Sequence, residues 1–409
     1  MRRVLDLPEY VVNALSLLKL SGYEAYLVGG SVRDAYMGIK PFDYDITTNA
    51  KPNEVVQIFS KDRKVIETGI KHGTVTVMID GFPIEITTYR IDGEYINSRK
   101  PESVIFTPNL VDDLKRRDFT INALVYDGNG EILDHFNGID DIDSKIIRCI
   151  GVPDERFSED ALRILRALRF SAKLDFGIDT ETSLAINKTS HLLKKISSER
   201  IFSELSMLFS YKNRARIKSI LTEYKSVIET AIDFKISNID YNSVCQKSSL
   251  INLQNDLALS YYLSAICGDE QQLQNVLKHL KVSNAFEKQT VQLLDIQKNI
   301  DKFYDLISVK LLAKKYGIDF CVVAGNVFNE TRENTVLKTF ADKICSENMC
   351  VSLAGLDVSG KDILNEIPDI DHKKIGDILD RLLVLVIDEK TENKKRILLN
   401  EAHNILKTL

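Results

Sequence analysis

Residues 24–48 read EAYLVGGSVRDAYMGIKPFDYDITT and combine an apolar run, a glycine pair and two nearby aspartates. The run Tyr26–Val28 predicts a strand, Gly29-Gly30 predicts a turn, and residues 31–37 are compatible with a helix. A strand, a glycine turn and a helix start bring backbone N–H groups to a place where a phosphate can bind. The segment is therefore a candidate phosphate-binding turn.

Asp43 and Asp45 follow on what reads as a second strand. Side chains alternate between the two faces of a strand, so these carboxylates project together and Tyr44 points the other way. Adjacent carboxylates repel each other unless a cation lies between them. Magnesium with bound phosphates fits this pair best, because it prefers oxygen ligands. Asp43 and Asp45 are therefore candidate metal ligands and catalytic residues.

A third carboxylate lies further along the chain. Three strand-like runs follow the aspartates, at residues 64–67, 74–79 and 83–89. Asp80-Gly81 predicts a hairpin between the last two runs. Glu85, between Ile84 and Ile86, is a candidate third catalytic carboxylate that could bind a metal or activate an attacking hydroxyl. The alternative is a polar residue on the solvent face of a strand.

Residues 91–106 show no clear periodicity, which predicts either a functional mobile loop near the site or a solvated connector. Arg116-Arg117 then begins the segment RRDFTINALVYD. Adjacent arginines usually mark a solvated face. In the same predicted domain as the carboxylates, they suit a triphosphate or an RNA backbone.

Residues 158–174 predict one helix, capped by Ser158, with four charged residues spaced three apart. These are Asp160, Arg163, Arg166 and Arg169. Successive members are neighbours on a helix surface and form a winding ridge. The alternative interpretation is an Asp–Arg ladder that only keeps the helix soluble.

Composition limits the classes of protein to consider. The chain has 409 residues, a formal net charge of -5 and six cysteines without a C-x-x-C pair. It predicts several domains, free thiols buried in a reducing cytoplasm, no zinc site and no membrane span. None of the six histidines is followed by Asp, which disfavours a His-Asp phosphohydrolase. From about residue 197 the chain reads as almost wholly helical.

Three separated motifs resemble the head and neck signatures of class II CCA-adding tRNA nucleotidyltransferases: LVGGSVRDAYMGIKPFDYDITT, RRDFTINALVYD and GVPDERFSEDALRILRALRF. SSERIFSEL matches a further neck motif, and the C-terminal region is similar to the tail of the bacterial branch. Residues 368–371 read PDID where that tail usually has a Pro-Gly-Pro-like turn. The family also includes bacterial poly(A) polymerases and enzymes that add only CC or only A.

The resemblance implies an α+β head of the polymerase-β-like nucleotidyltransferase type, with a small mixed sheet, followed by all-α neck, body and tail. The expected domains are head 1–135, neck 136–205, body 206–300 and a tRNA-binding tail 301–409. The family pattern implies that Gly30 and Arg33 hold the triphosphate and that Asp43 and Asp45 bind two Mg²⁺ ions. It also assigns a nucleotide-binding role to Arg117, Asp160, Arg163, Arg166 and Arg169.

Base choice can be argued from two of these residues. Cytosine and adenine each present an amino donor beside a ring-nitrogen acceptor, whereas guanine and uracil present the reverse order. Asp160 is an acceptor and Arg163 is a donor, one helical turn apart on the predicted helix. This pair matches C and A and opposes G and U.

The activity implied is addition of C, C and A to the 3′ end of tRNA from CTP and ATP, with release of pyrophosphate. The alternatives are poly(A) synthesis, addition of A alone, or an inactive RNA-binding relative. A basic C-terminal extension typical of the polymerases is not seen, and Asp43, Asp45 and Glu85 disfavour an inactive protein. The expected partners are tRNA, CTP and ATP, without a membrane, and a homodimer is left open.

Overall fold

The computed structural model describes residues 4–93, 95–96, 100–101, 104–211, 213–236, 255–332 and 335–408. The chain forms two compact units. The first comprises Met1–Tyr211 with Ser219–Lys235, and the second comprises Lys212–Lys218 with Ile236–Leu409. The finer division into head, neck, body and tail stays a prediction.

The first unit contains the strands of the chain that the structure describes. They are β1 (Ala25–Val28), β2 (Asp45–Thr48), β3 (Lys64–Ile66), β4 (Thr74–Ile79), β5 (Phe82–Thr88), β6 (Arg90–Asp92), β7 (Tyr95–Ile96), β8 (Lys100–Pro101), β9 (Val104–Phe106), β10 (Val125–Tyr126), β11 (Ile132–Leu133), β12 (Ile146–Ile147) and β13 (Gly177–Ile178). Seven of them form one sheet in the order β11-β10-β1-β2-β5-β4-β3. Only β2 and β5 are parallel neighbours in this sheet, which is therefore mixed, as the sequence predicts.

The sheet follows from local sequence patterns. In β4, Val75, Val77 and Ile79 are buried while the residues between them are partly exposed, so one face of the strand packs on the core. Asp80 and Gly81 both have positive φ, 53° and 85°, which suits the two-residue turn between β4 and β5. The predicted hairpin is confirmed.

The first unit also contains helices. They are α1 (Glu9–Leu20), α2 (Gly30–Tyr36), α3 (Pro52–Phe59), α4 (Leu110–Lys115), α5 (Gly138–Asp143), α6 (Pro153–Glu159), α7 (Leu162–Leu174), α8 (Thr180–Thr189), α9 (Ser198–Ser210), α10 (Arg214–Glu223), which passes from the second unit into the first, and α11 (Lys225–Ile232).

The prediction of one continuous helix from Ser158 is wrong. Asp160 has extended backbone angles, φ -137° and ψ 101°, and separates α6 from α7. Its Oδ1 accepts the backbone N–H of Leu162 at 3.1 Å. An aspartate that bonds a nearby backbone N–H competes with helix continuation, which explains the break.

The prediction of an unstructured loop over residues 91–106 is wrong at both ends. β6 pairs antiparallel with β9, with Asp92 opposite Val104, and β7 pairs with β8. The remainder of that prediction concerns residues 94, 97–99 and 102–103, which lie outside the described residues.

The regular secondary structure that is described for the second unit is helical, as predicted. This unit contains the first residues of α10, up to Lys218. Its other helices are α12 (Asn255–Cys267), α13 (Glu270–Leu280), α14 (Asn284–Lys298), α15 (Leu306–Tyr316), α16 (Ile318–Arg332), α17 (Thr335–Ser346), α18 (Gly360–Glu366), α19 (His372–Ile387) and α20 (Lys395–Leu406). An apolar cluster that includes Ile363, Ile378, Leu382 and Leu398 joins the last three of these helices. None of the described helices is long and apolar enough to cross a membrane.

The thiols are partly as predicted. Cys149, Cys267 and Cys321 are buried and free, and burial raises the pKa of each to about 12. They are therefore protonated at neutral pH. Cys345 is exposed and Cys350 is partly exposed, so the expectation of buried thiols is wrong at these two positions. Cys245 lies outside the described residues.

Candidate active site

A cavity of about 490 Å³ in the first unit collects most of the predicted site residues. Eight of the ten predicted residues line it: Gly30, Arg33, Asp43, Asp45, Arg117, Asp160, Arg163 and Arg166. Glu85 and Arg169 are not among the lining residues. Segments more than a hundred residues apart in sequence therefore meet at one surface.

The two aspartates share one side of the chain, although only one lies on a strand. Asp45 is the first residue of β2, whereas Asp43 precedes the strand, which corrects the prediction that both lie on it. Tyr44 is 5% exposed, while Asp43 and Asp45 are both exposed. The predicted alternation therefore holds without a regular strand at Asp43.

Glu85 lies beside this pair. It is opposite Asp45 in the parallel register of β5 and β2, and it is exposed. Partial removal from solvent, together with the charges of Asp43 and Glu85, raises the pKa of Asp45 to about 6, while Arg117 lowers it. The three carboxylates thus concentrate more negative charge than the surrounding protein neutralises.

The glycine turn brings α2 and an arginine close to the carboxylates. Gly29 has φ 78°, a conformation that glycine adopts without strain. A Cβ at this position would lie 3.2 Å from Nη1 of Arg117. Gly29 therefore allows both the turn and the close approach of the Arg117 guanidinium to the backbone.

Arg33 is almost fully buried, at 2% exposure. Its Nε donates to Oδ1 of Asp34 at 2.7 Å, and its Nη1 donates to Oδ1 of Asn122 at 2.5 Å. The guanidinium also lies 5.3 Å from the centre of the Phe170 ring. These contacts fix Arg33 at the cavity wall, and its phosphate-binding role stays a prediction.

Arg116 and Arg117 share one buried carboxylate. Asp113 accepts from Nη2 of Arg116 at 2.8 Å and from Nη2 of Arg117 at 3.3 Å. Burial acts to raise the pKa of Asp113, but the two arginines offset this effect and lower the pKa. Asp113 also accepts the backbone N–H of Arg90 at 3.3 Å, so it connects the arginine pair to β6.

The base-reading pair proposed from the sequence meets at the cavity, but not as one helical turn. Asp160 lies between α6 and α7, and its Oδ2 accepts from Nη2 of Arg200 at 2.9 Å. Arg163 is buried in the first turn of α7 and donates to the carbonyl of Arg116 at 2.7 Å and to Glu159 at 2.8 Å. Each residue is thus held by protein contacts.

Arg169 contacts α9 and is not among the residues that line the cavity. Its Nε donates to Oε2 of Glu204 in α9 at 2.7 Å, and its guanidinium lies 4.5 Å from the centre of the Phe170 ring. The structure places Arg166 at the cavity and Arg169 beside α9. A nucleotide-binding role of Arg169 stays a prediction.

Comparisons with known proteins extend over the whole chain. The family model described as "Poly A polymerase head domain" matches residues 25–148, and that of "tRNA nucleotidyltransferase domain 2" matches residues 253–402. The "CCA-adding enzyme" of Ligilactobacillus salivarius is 34% identical, and that of Streptococcus suis is 32% identical. In both cases the match covers 98% of this chain and 98% of the relative. The chain belongs to the CCA-adding enzyme family.

A solved structure agrees with this assignment. The crystal structure of the Bacillus stearothermophilus CCA-adding enzyme in complex with CTP superposes with a TM-score of 0.74 at 26% identity. The superposition covers 98% of each chain. The superposition confirms the predicted fold of this chain, a polymerase-β-like α+β head followed by helical regions.

Several cavity residues of this family member were not assigned a role from the sequence. They are Asp34, Phe42, Asp118, Asn122, Phe170 and Lys173. Arg166, Phe170 and Lys173 are spaced four and three residues apart in α7, which places them on one face of the helix. That spacing is a signal that could have found Phe170 and Lys173. Asp118 and Asn122 lie inside the motif RRDFTINALVYD, but each also has a partner that is distant in sequence, Arg166 for Asp118 and Arg33 for Asn122.

Proposed function

We propose that this chain is a template-independent CCA-adding enzyme that extends the 3′ end of tRNA by C, C and A, using CTP and ATP and releasing pyrophosphate. The observation that carries the proposal is the match to curated CCA-adding enzymes over 98% of both chains. The cavity supports it, because carboxylates and arginines converge there.

Asp43 and Asp45 have the chemistry to hold magnesium. Partial removal from solvent, and then the charges of Asp43 and Glu85, raise the pKa of Asp45, and a bound cation would favour its ionised form. Among the described residues there is no group of three or more His, Cys, Asp or Glu side chains placed so that it could hold a metal ion. Magnesium can be held by two carboxylates alone, because it binds one or two carboxylates and completes its shell with water and substrate phosphates.

In the proposed reaction the 3′-hydroxyl oxygen of the RNA forms a bond to the α-phosphorus of the incoming nucleotide, and pyrophosphate leaves. Magnesium at Asp43 and Asp45 would supply Lewis-acid activation of the hydroxyl and neutralise the leaving oxygens. Arg117 and the Gly29-Gly30 turn would position the phosphates at the cavity. Glu85, on the neighbouring strand, would bind a metal or activate the attacking hydroxyl by accepting its proton.

Asp160 and Arg163 are the proposed readers of the base. They lie in the same cavity as the carboxylates, and both are anchored by other residues. The break between α6 and α7 changes the route by which Asp160 reaches the cavity, but its acceptor chemistry is unchanged. Arg166 and Arg169 are proposed to act nearer the sugar and phosphates.

The RNA partner is proposed to be tRNA. The third family model, described as "Probable RNA and SrmB- binding site of polymerase A", matches residues 175–225. The helical second unit is proposed to bind the body of the tRNA. The buried free thiols support action in a reducing compartment, the cytoplasm.

The proposal is tested with tRNA that ends at the discriminator base. The purified chain is supplied with labelled CTP and unlabelled ATP, and then with the labels exchanged, in magnesium or in EDTA. The expected result is incorporation of both nucleotides with magnesium and of neither with EDTA. Incorporation of ATP without prior CTP incorporation would favour poly(A) synthesis instead.

A further inference from the structure

Arg200 makes an ion pair with the proposed base-reading residue Asp160. Arg200 lies in the first turn of α9, and 40 residues of sequence separate the two. Its Nη2 donates to Oδ2 of Asp160 at 2.9 Å, and its Nη1 donates to Oδ1 at 3.4 Å. The Asp160 side chain is 17% exposed and that of Arg200 is 31% exposed. The pair is therefore partly shielded from solvent at the edge of the cavity.

The contacts of Asp160 determine how many acceptor positions it can offer. A carboxylate has two oxygens with about four acceptor positions in total. Within the described part of the chain, Oδ1 accepts from Leu162 N–H and from Arg200, and Oδ2 accepts from Arg200. About one position remains, on Oδ2. One position is what the amino group of cytosine or adenine requires.

The backbone of Asp160 gives its side chain little support. The residue is in extended conformation between two helices, so no helical neighbours restrict its rotamer. Arg200 supplies that restriction from a 13-residue helix. One turn later on α9, Glu204 accepts from Arg169 of α7 at 2.7 Å, so α9 is itself fixed to the helix that follows Asp160.

We propose that Arg200 is a positioning residue for nucleotide selection, which holds the Asp160 carboxylate so that a single acceptor faces the base. This inference rests on the proposed function of the site. A planar guanidinium fixes the plane of a carboxylate through two parallel N–H groups, whereas a lysine ammonium supplies charge without that geometry. Arg200 therefore acts on selectivity more than on the chemical step.

The test compares kcat/KM for CTP and UTP on tRNA that ends at the discriminator base. Arg200→Ala is expected to lower the CTP-to-UTP discrimination by about tenfold or more, the equivalent of one lost hydrogen bond. The kcat for CTP should change less than the discrimination. Arg200→Lys should give an intermediate discrimination, because lysine keeps the positive charge but does not fix the plane of the Asp160 carboxylate.

Arg148→Ala is the matched control. Arg148 is also a partly exposed arginine that bridges two aspartates, Asp141 at 3.1 Å and Asp179 at 2.6 Å, but it is not a cavity residue. It should lose stability without loss of discrimination. If Arg200→Ala is too unstable to assay, Arg200→Lys still separates the effect of geometry from that of charge.

Three outcomes overturn the inference, and they are distinguishable. If Asp160→Ala loses discrimination while Arg200→Ala and Arg200→Lys keep the wild-type value, Arg200 has no positioning role. If all three variants keep it while the wild type still builds CCA, the base-reading role of Asp160 fails too and the proposed activity stands. Stronger rejection of UTP by Arg200→Ala would also contradict the inference.

Discussion

Arg166 donates through both Nε and Nη2 to one oxygen of Asp118, at 2.8 and 2.6 Å. Asp118 follows the Arg116-Arg117 pair, and Arg166 lies 48 residues further on, in α7. The other carboxylate oxygen of Asp118 accepts from Asn122 at 3.0 Å. Burial acts to raise the pKa of Asp118, but Arg166 and Asn122 lower it to about 2. This ion pair joins the arginine segment to α7 across the cavity.

The Asp118–Arg166 pair predicts a stability that depends on pH. The folded-state pKa of about 2 lies below the ordinary value of 3.8, so the ionised carboxylate stabilises the fold above about pH 4. That contribution, on the order of 2 kcal/mol, is lost as the pH falls toward 2. Asp118→Asn should lower the free energy of unfolding at pH 7 by at least this order. Urea unfolding of both proteins at several pH values checks this. A difference that does not shrink below pH 4 would contradict the assignment.

Asp45 predicts the opposite sign. Its folded-state pKa of about 6 lies above 3.8, so the folded state binds its proton more tightly and stability falls as the pH rises from about 4 to about 6. Asp45→Asn should therefore melt at a higher temperature than the wild type at pH 7.5 in EDTA. Below pH 4 the difference should vanish. Magnesium should raise the melting temperature of the wild type more than that of the variant.

Asp62→Asn serves as the control for this experiment, because Asp62 is exposed and is not a cavity residue. Its melting temperature should respond to pH and magnesium as the wild type does. A destabilised Asp45→Asn protein in EDTA would contradict the unfavourable ionisation of Asp45. Equal stabilisation of the variant and the wild type by magnesium would contradict a metal-binding role of Asp45.

Removing either aspartate should stop the chemistry. Asp43→Ala and Asp45→Ala are expected to reduce incorporation of both C and A to background. The magnesium that would position the phosphates and stabilise their charge needs both carboxylates. Affinity for tRNA should stay close to that of the wild type. Turnover and tRNA binding are measured for each variant in parallel with Asp62→Ala. Substantial activity of either variant in magnesium would exclude the two-carboxylate metal site.

The segment from Asp92 to Pro101 is predicted to matter more for the A step than for the C steps. Deletion of residues 93–100 leaves three residues between the paired positions Asp92 and Val104, a connection that an antiparallel hairpin tolerates. The deleted protein should still add C but should add A much more slowly. Products are resolved by length. CCA ends formed at the wild-type rate would show that the segment only connects β6 and β9.

The sequence predicted those parts of the site that depend on short-range patterns. The glycine turn, the alternation around Tyr44 and the hairpin at Asp80-Gly81 follow from neighbouring residues. The break at Asp160 did not, because neither Gly nor Pro marks it and the three-residue spacing of arginines is compatible with a continuous helix. The register that sets Glu85 opposite Asp45 could not be read locally either.

Ion pairs between distant segments were the least accessible to sequence reasoning. Asp160 with Arg200 and Glu204 with Arg169 are 40 and 35 residues apart. In a chain with 28% charged residues many such pairings are conceivable. Only the packing of α7 against α9 selects among them, and that packing depends on the whole first unit.

The central claim is tested most directly by sequencing RNA 3′ ends after reaction. Two substrates are used, tRNA that ends at the discriminator base and tRNA that ends in CC, each with CTP alone, ATP alone, both, or UTP and GTP. The account predicts CC from CTP alone on the first substrate, a single A from ATP alone on the second, and CCA when both are present. An enzyme that adds A to the CC end but adds no C to the first substrate would contradict it. An extended A tail on either substrate would also contradict it.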